Sequence, residues 1–321
     1  MTAVLLRLDG DRAAGWLGPD GPGPAAVGRA LEGSGADAVV LGAERLAGAA
    51  PLPTSAPWGR GLDPGVVATV LVEHTRRIGL VVTAAPQRDH PFNLARRIAS
   101  LDHLSGGRAG WLVGDRDQHV PGAGSVWTRH RPGPATTADA VVVARELWRS
   151  WPADAIVADR ERGVFAESHR VVHIDHRGAF DVAGPLNLPE GPQGEPVVLW
   201  WWPRGGDPAA AGAVADAVVL PRAGTADAVS RTRAARFVQV THPAARLPVG
   251  LDGVVVPLDD LPTRGLADRF RGATGAPTEA AATLRERLGL PARLPRLPGA
   301  ARPYAPLPVG PPACEDGRAP R

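Results

Sequence analysis

The strongest constraint on this chain is a rhythm. Short, continuous runs of aliphatic and β-branched residues recur along it, and each is followed by a stretch long enough to hold a helix. Val4 to Leu8, Asp37 to Leu41 (DAVVL), Arg77 to Thr83 (RIGLVVT) and Arg108 to Val113 read as strands. They lack the in–out alternation of a half-exposed strand, so they belong in a parallel sheet covered on both faces. Between them, Ala25 to Leu31 is a short helix. Asp63 caps a helix that Pro64 opens and that runs to about His74. Pro91 opens another, with Leu94, Ile98, Leu101 and Leu104 on the face toward the sheet, stopped by Ser105-Gly106-Gly107. Asp139 to Trp151 is the fourth. Gly10 to Pro24, punctuated by Gly, Pro and Asp, reads as loop.

The rhythm breaks at Pro152 to Glu195, an insertion with β-like pieces at Arg170 to Ile174 and Ala179 to Val182. It resumes with strands at Pro196 to Trp202, Ala217 to Leu220, Arg236 to Val240 and Gly253 to Val256, the first two flanking an Ala-rich helix. Thr278 to Leu288 closes the series as an amphipathic helix. The pattern predicts an α/β chain folded as a (β/α)8 TIM-like barrel over residues 1–290, with an insertion at about 152–195. Residues 291–321, rich in Pro, Arg and Gly, are expected to be a disordered tail. An open doubly wound sheet is the alternative, but no glycine fingerprint follows the first strand.

Composition removes several chemistries. All 36 basic residues are arginine, so no lysine is available for a P-loop, a Schiff base or a pyridoxal-phosphate anchor. The 33 acidic residues are interspersed with the arginines, leaving a net charge of +3 and no basic stripe for nucleic acid. A single cysteine, Cys314, excludes an internal disulfide and a cysteine zinc site. The N-terminus carries no signal-like segment, and no run approaches the ~18 apolar residues of a membrane span. A cytoplasmic protein without membrane or nucleic-acid partners is expected.

One stretch is specific. Leu94 to Trp111 (LARRIASLDHLSGGRAGW) resembles the bacterial luciferase-like flavin-dependent monooxygenases, in particular the nitrilotriacetate and dibenzothiophene-sulfone monooxygenase branch. Leu62 to Leu80, Glu146 to Pro196 (ELW followed by VHIDHRGAFDVAGPLNLPEGPQGEP) and Thr283 to Leu290 (TLRERLGL) are similar to other parts of that branch. The resemblance implies a luciferase-type barrel with its insertion after the fourth helix. It implies an FMNH2- and O2-dependent oxidation of a small organic substrate, with reduced FMN delivered by a separate flavin reductase, and a homodimer. In such chemistry the flavin carries the oxidation and the protein supplies positioning.

The resemblance implies flavin contacts at five places. Gly42 stands at the family's Asp position after the second strand. Thr83 is kept after the third, whereas Ala85 and Pro86 replace hydroxyl residues. Leu112, Gly114 and Asp115 replace an Asn and Thr-Ser cluster after the fourth. His130 matches the family histidine, and Pro134 takes the tyrosine position. The phosphate-cradling stretch has become Trp200-Trp201-Trp202-Pro203-Arg204-Gly205-Gly206. Thr83, His130, Arg204 and Gly205 are therefore the candidate cofactor-binding residues, with Arg204 and the glycines forming a substitute anion site. No catalytic residue stands out. The altered cradle also suits an alternative, a barrel that has lost tight flavin binding and serves as a non-catalytic binding or assembly partner. A deazaflavin cofactor matches less well.

The remaining motifs read mainly as structure. His169, His173 and His176 with Asp175 fall on strand-like sequence that would split them, so no metal site is expected. Asp115 and Asp117 are the best carboxylate pair, read as solvated loop residues ahead of a cation-binding pair. Trp200 to Trp202 read as a packed cluster ahead of a stacking platform.

Overall fold

The computed structural model describes residues 2–49, 61–120, 124–202, 208–221, 234–240, 250–271, 283–292 and 302–303. In chain order the elements are β1 (Ala3–Leu8), α1 (Gly10–Leu17), α2 (Pro24–Gly33), β2 (Ala38–Leu41), α3 (Pro64–Glu73), β3 (Gly79–Ala84), α4 (Pro91–Ser105), β4 (Ala109–Val113) and α5 (Pro134–Trp148). The insertion carries β5 (Ile156–Asp159), β6 (Val164–Ala166) and β7 (Val172–His173). Then follow β8 (Val197–Trp201), α6 (Pro208–Val214), β9 (Ala217–Leu220), β10 (Ala235–Gln239), β11 (Gly253–Pro257), α7 (Asp268–Arg271), α8 (Leu284–Arg287) and β12 (Arg302–Pro303).

Eight of the strands close into a parallel barrel in the order β1-β2-β3-β4-β8-β9-β10-β11, with β11 pairing back to β1. The barrel explains why the strands read as unbroken apolar runs. Leu5, Val40, Val81, Leu112, Leu199, Val219, Phe237 and Val255 point inward and fill the lumen. Their sequence neighbours Leu6, Val39, Leu80, Trp111, Val198, Val218 and Val254 point outward, beneath the helices. Both sets are buried, so period-two alternation leaves no polar residue behind. Trp200, Trp201 and Trp202 obey the same alternation. Trp201 joins the lumen, Trp200 and Trp202 the outer layer, and all three are buried.

The local signals behind the helices are visible in their caps. The Asp63 side chain accepts hydrogen bonds from the Gly65 and Val66 amides, and Pro64 sits at the first helical position. Helix α4 ends where Gly106 and Gly107 take φ of 65° and 85°, a conformation costly for residues with a Cβ. Three expectations need correcting. Gly10 to Leu17 is a helix, not loop: Ala13 is buried on its inner face, and Arg12 lies over the Trp16 ring one turn on. Leu104 lies on the outer face of the last turn of α4, 63% exposed, while Leu94, Ile98 and Leu101 are buried as expected. Helix α5 starts at Pro134, five residues before Asp139.

The N-terminal end of the barrel is sealed by α8. Thr283 forms a capping box with Glu286, and Leu284 enters the opening so closely that a Cβ on Gly79 would lie 2.5 Å from its Cδ1. The upstream part of that predicted helix, from 278 to 282, lies outside the described residues. Arg285 donates twice to the Asp216 carboxylate at 2.8 and 3.1 Å, and Arg145 holds Asp216 at 2.9 Å. Glu195 takes Arg145 and Arg149. Burial pushes the Asp216 carboxyl up, but the two guanidinium groups outweigh it and hold it below its ordinary range.

The signature stretch is part of this scaffold. Asp102, fully buried, accepts from the Ala109 amide and from the Gln193 amide and side chain, tying α4 and β4 to the end of the insertion. Arg108 donates to Ser105, Thr75 and Ile78 oxygens. Within the insertion, β5 pairs with β6, and β7 pairs with Arg302 and Pro303. Most of the predicted tail, from 293 onward, is outside the described residues.

Candidate active site at the barrel mouth

In a parallel barrel the chemistry sits at the C-terminal ends of the strands, because that is where the βα loops converge. Continuing the inward register of each strand to this end places Arg7, Gly42, Thr83, Gly114, Trp201 and Gln239 in one ring. Arg7 is fully buried. It makes a bidentate pair with Asp9 at 2.7 and 2.9 Å and donates to Gln239 Oε1 at 2.8 Å. Sequence reading missed this group, although an arginine inside an otherwise apolar strand, followed by Asp9, was the signal for it.

Two loops meet over the ring. The segment after β2 and the segment after β4 pair antiparallel at Leu46 and Asp117. The Ala47 amide donates to Arg116 O at 3.0 Å, and the Gln118 amide to Arg45 O at 2.7 Å. Arg45 donates twice to Asp117 Oδ2, and Gln87 Oε1 accepts from the Asp117 amide. Trp201 Nε1 donates to Ala47 O from below. Leu46 drops into the lumen and is fully buried; a Cβ on Gly114 would lie 2.7 Å from its Cδ2, which is why glycine stands there.

Three polar atoms in this region are buried without a hydrogen-bond partner: Thr83 Oγ1, Glu44 Oε2 and Asp115 Oδ1. Glu44 Oε1 accepts from the Gly10 amide, while its carboxyl abuts that of Asp9. Burial, and then the Asp9 charge, push Glu44 up to about 7. Burial also raises the Asp115 carboxyl. Asp115 and Asp117 are therefore neither a working pair nor solvated loop residues. Asp117 is consumed by Arg45, whereas the Asp115 carboxyl lies against the Thr137 and Trp200 side chains.

Thr83 lies in the ring at the end of β3, 2% exposed. His130 is exposed in the loop between β4 and α5, where its amide donates to Thr128 Oγ1. No described contact joins the two. Arg204 and Gly205 lie outside the described residues, as does Cys314. Among the histidines of the insertion, His176 is held between Asp139 and Glu146 at 2.9 and 3.2 Å. Those two hydrogen bonds raise it to about 9, so it is an imidazolium tie between the insertion and α5. A cavity of about 380 Å3 runs between α3 and α4 at the end of β3, and its lining includes Arg45, Thr83, Ala85, Arg88 and Asp117.

These features place the chain among known proteins. Residues 23–250 match the model of the luciferase-like monooxygenase family. The chain belongs to this family. It is 36% identical over 271 residues to one of the subunits of the pristinamycin IIA synthase of Streptomyces pristinaespiralis, covering 82% of this chain and 86% of that protein. It is 37% identical to dibenzothiophene-sulfone monooxygenase of Rhodococcus erythropolis over 142 residues, which is 43% of this chain but only 31% of that enzyme. Among solved structures, EDTA monooxygenase from Chelativorans sp. BNC1 superposes with a TM-score of 0.61 at 20% identity, covering 91% of this chain and 99% of that one, a likeness of fold. No helix among the described residues is long and apolar enough to cross a membrane.

The family implies a flavin, and the described half of the mouth can be tested for it. Leu46, Thr83, Ala85 and Trp201 are each at most 2% exposed, and the side chain of Leu46 fills the space over Gly114. A planar ring has no bed on the lumen side of these residues while the loop after β2 is folded down; the open space beside Thr83 and Ala85 belongs to the cavity toward α3 and α4. They do not fit the cofactor in this arrangement.

Proposed function

We propose that this chain is a subunit of a reduced-flavin-dependent monooxygenase that oxidises a small organic substrate with O2. The observation that carries the reading is its similarity, over 82% of its length, to a synthase subunit, combined with shorter matches to sulfone and nitrilotriacetate monooxygenases. A separate reductase would supply the reduced FMN, and Thr83, His130, Arg204 and Gly205 are the residues proposed to meet it. The mouth supports this placement, because unpaired buried polar atoms gather where the fold puts its chemistry. The non-catalytic alternative draws no support from the relatives, which are monooxygenases and a synthase subunit.

Anaerobic titration of the full chain with dithionite-reduced FMN, followed by flavin fluorescence and calorimetry at pH 8, tests the reading. Saturable micromolar binding that weakens in Thr83→Val, His130→Ala or Arg204→Ala is expected. No saturation up to roughly millimolar flavin, weaker than about −4 kcal/mol, would overturn it.

A further inference from the structure

On the described side of the mouth Leu46 covers Gly114, and the segment that carries it also holds a buried carboxyl set against another carboxyl. Glu44 sits on the loop after β2, 7% exposed, with one oxygen on the Gly10 amide and the other without a partner. Facing it from the junction of β1 and α1 is Asp9, already committed to Arg7. From α1 it meets only the Gly10 amide. From the loop after β4, Gln118 donates to its backbone oxygen, and the neighbouring Arg45 turns away to Asp117. No cation approaches the Glu44 carboxyl among the described contacts: Arg7 is paired with Asp9 and Arg45 with Asp117.

We propose that Gly42 to Ala49 is a lid over the barrel mouth, closed while Glu44 carries a proton and released when Glu44 ionises beside Asp9. The proposal rests on the reading that the mouth is the working end of a monooxygenase. Closed, the lid holds Leu46 over Gly114 and Thr83 and is stitched by the Arg45–Asp117 pair and the Trp201 bond to Ala47. Open, it uncovers the inward ring of Thr83, Gly114 and Trp201.

Linkage sets the direction. Closure raises the Glu44 carboxyl from its ordinary 4.5 to about 7, by burial first and the Asp9 charge second. A group raised in the closed state favours closure fully below its ordinary value, and that favour is lost as pH climbs through about 7. Each unit is tenfold, so the closed-to-open ratio falls on the order of 10²-fold across that window.

Hydrogen exchange by mass spectrometry on the intact, ligand-free protein at pH 6 and pH 8 reads this directly. After correction for the intrinsic rate, peptides covering 43–49 and 116–118 are expected to exchange about tenfold faster at pH 8. Peptides at the sealed end, covering 195–198 and 284–288, are expected to stay unchanged. Glu44→Gln, a neutral mimic, should hold the mouth closed at both pH values, and Arg45→Met should loosen it at both. Equal protection of the wild-type mouth at the two pH values would overturn the proposal, as would an unchanged pH response in Glu44→Gln. The wild-type profile decides alone should the glutamine variant fail to fold. No flavin enters this experiment, so its failure and a failed flavin titration are separate results.

Discussion

The two ends of the barrel are built from the same strands and solve opposite problems. At the N-terminal end the buried charges described above are met by opposite charges or by hydrogen-bond partners. Arg285 and Arg145 clasp Asp216, Arg145 and Arg149 clasp Glu195, and Leu284 fills the opening. At the C-terminal end the carboxyl of Glu44 meets another carboxyl, and Thr83 and Asp115 bury oxygens that bond to nothing. Unsatisfied buried groups cost stability, so Glu44, Thr83 and Asp115 around the mouth mark a place where stability is sacrificed for something else. The difference separates scaffold from site without reference to any relative.

The largest expected effect breaks the sealed end. Arg285→Met leaves Asp216 short of a partner in a dry site and is expected to cost about 3–5 kcal/mol in urea unfolding. A loss under about 1 kcal/mol would mean that the network is ornamental. Gly114→Ala attacks the other end by driving a methyl into Leu46. It should cost about 1–3 kcal/mol while raising amide exchange in 43–49 and leaving the α8 region protected.

His176 offers a third reference, remote from both ends. Its imidazolium tie to Asp139 and Glu146 holds a group raised above its ordinary 6.5, so the stability it adds is complete below about 6.5 and lost as pH rises through about 9. His176→Gln is expected to be less stable by about 1–2 kcal/mol at pH 6 and equal to wild type by pH 10. Thermal melts across that range check it. The smallest effect belongs to Thr83→Val. Removing a buried hydroxyl without a partner should change stability by less than about 1 kcal/mol, with stabilisation the favoured sign. A loss above about 2 kcal/mol would show that the hydroxyl is bonded after all.

Much of the fold was legible because burial on both faces of a parallel strand writes a continuous apolar run, and because Asp63-Pro64 and Gly106-Gly107 mark helix ends chemically. Helix α1 was hidden by the glycines and aspartates around it; only Ala13 and the Arg12–Trp16 pair betray it. Leu104 followed the helical stripe by spacing, yet at the last turn of α4 it faces outward. The sealed end was invisible in sequence because its partners are far apart: Arg145 reaches Glu195 and Asp216, and Asp216 reaches Arg285 across 69 positions. The site was legible only in part. Thr83 came from a resemblance, whereas Glu44 against Asp9 is a contact that no local pattern announces.

Whether the mouth is the working end comes down to a footprint. Hydrogen exchange of the intact chain is recorded anaerobically at pH 8, with and without saturating reduced FMN. New protection is expected in 83–88 and 114–118, around the inward ring, with no change across 195–198 and 284–288. Protection confined to the sealed end, or no protection anywhere, would contradict the assignment of the mouth as the place where flavin lands.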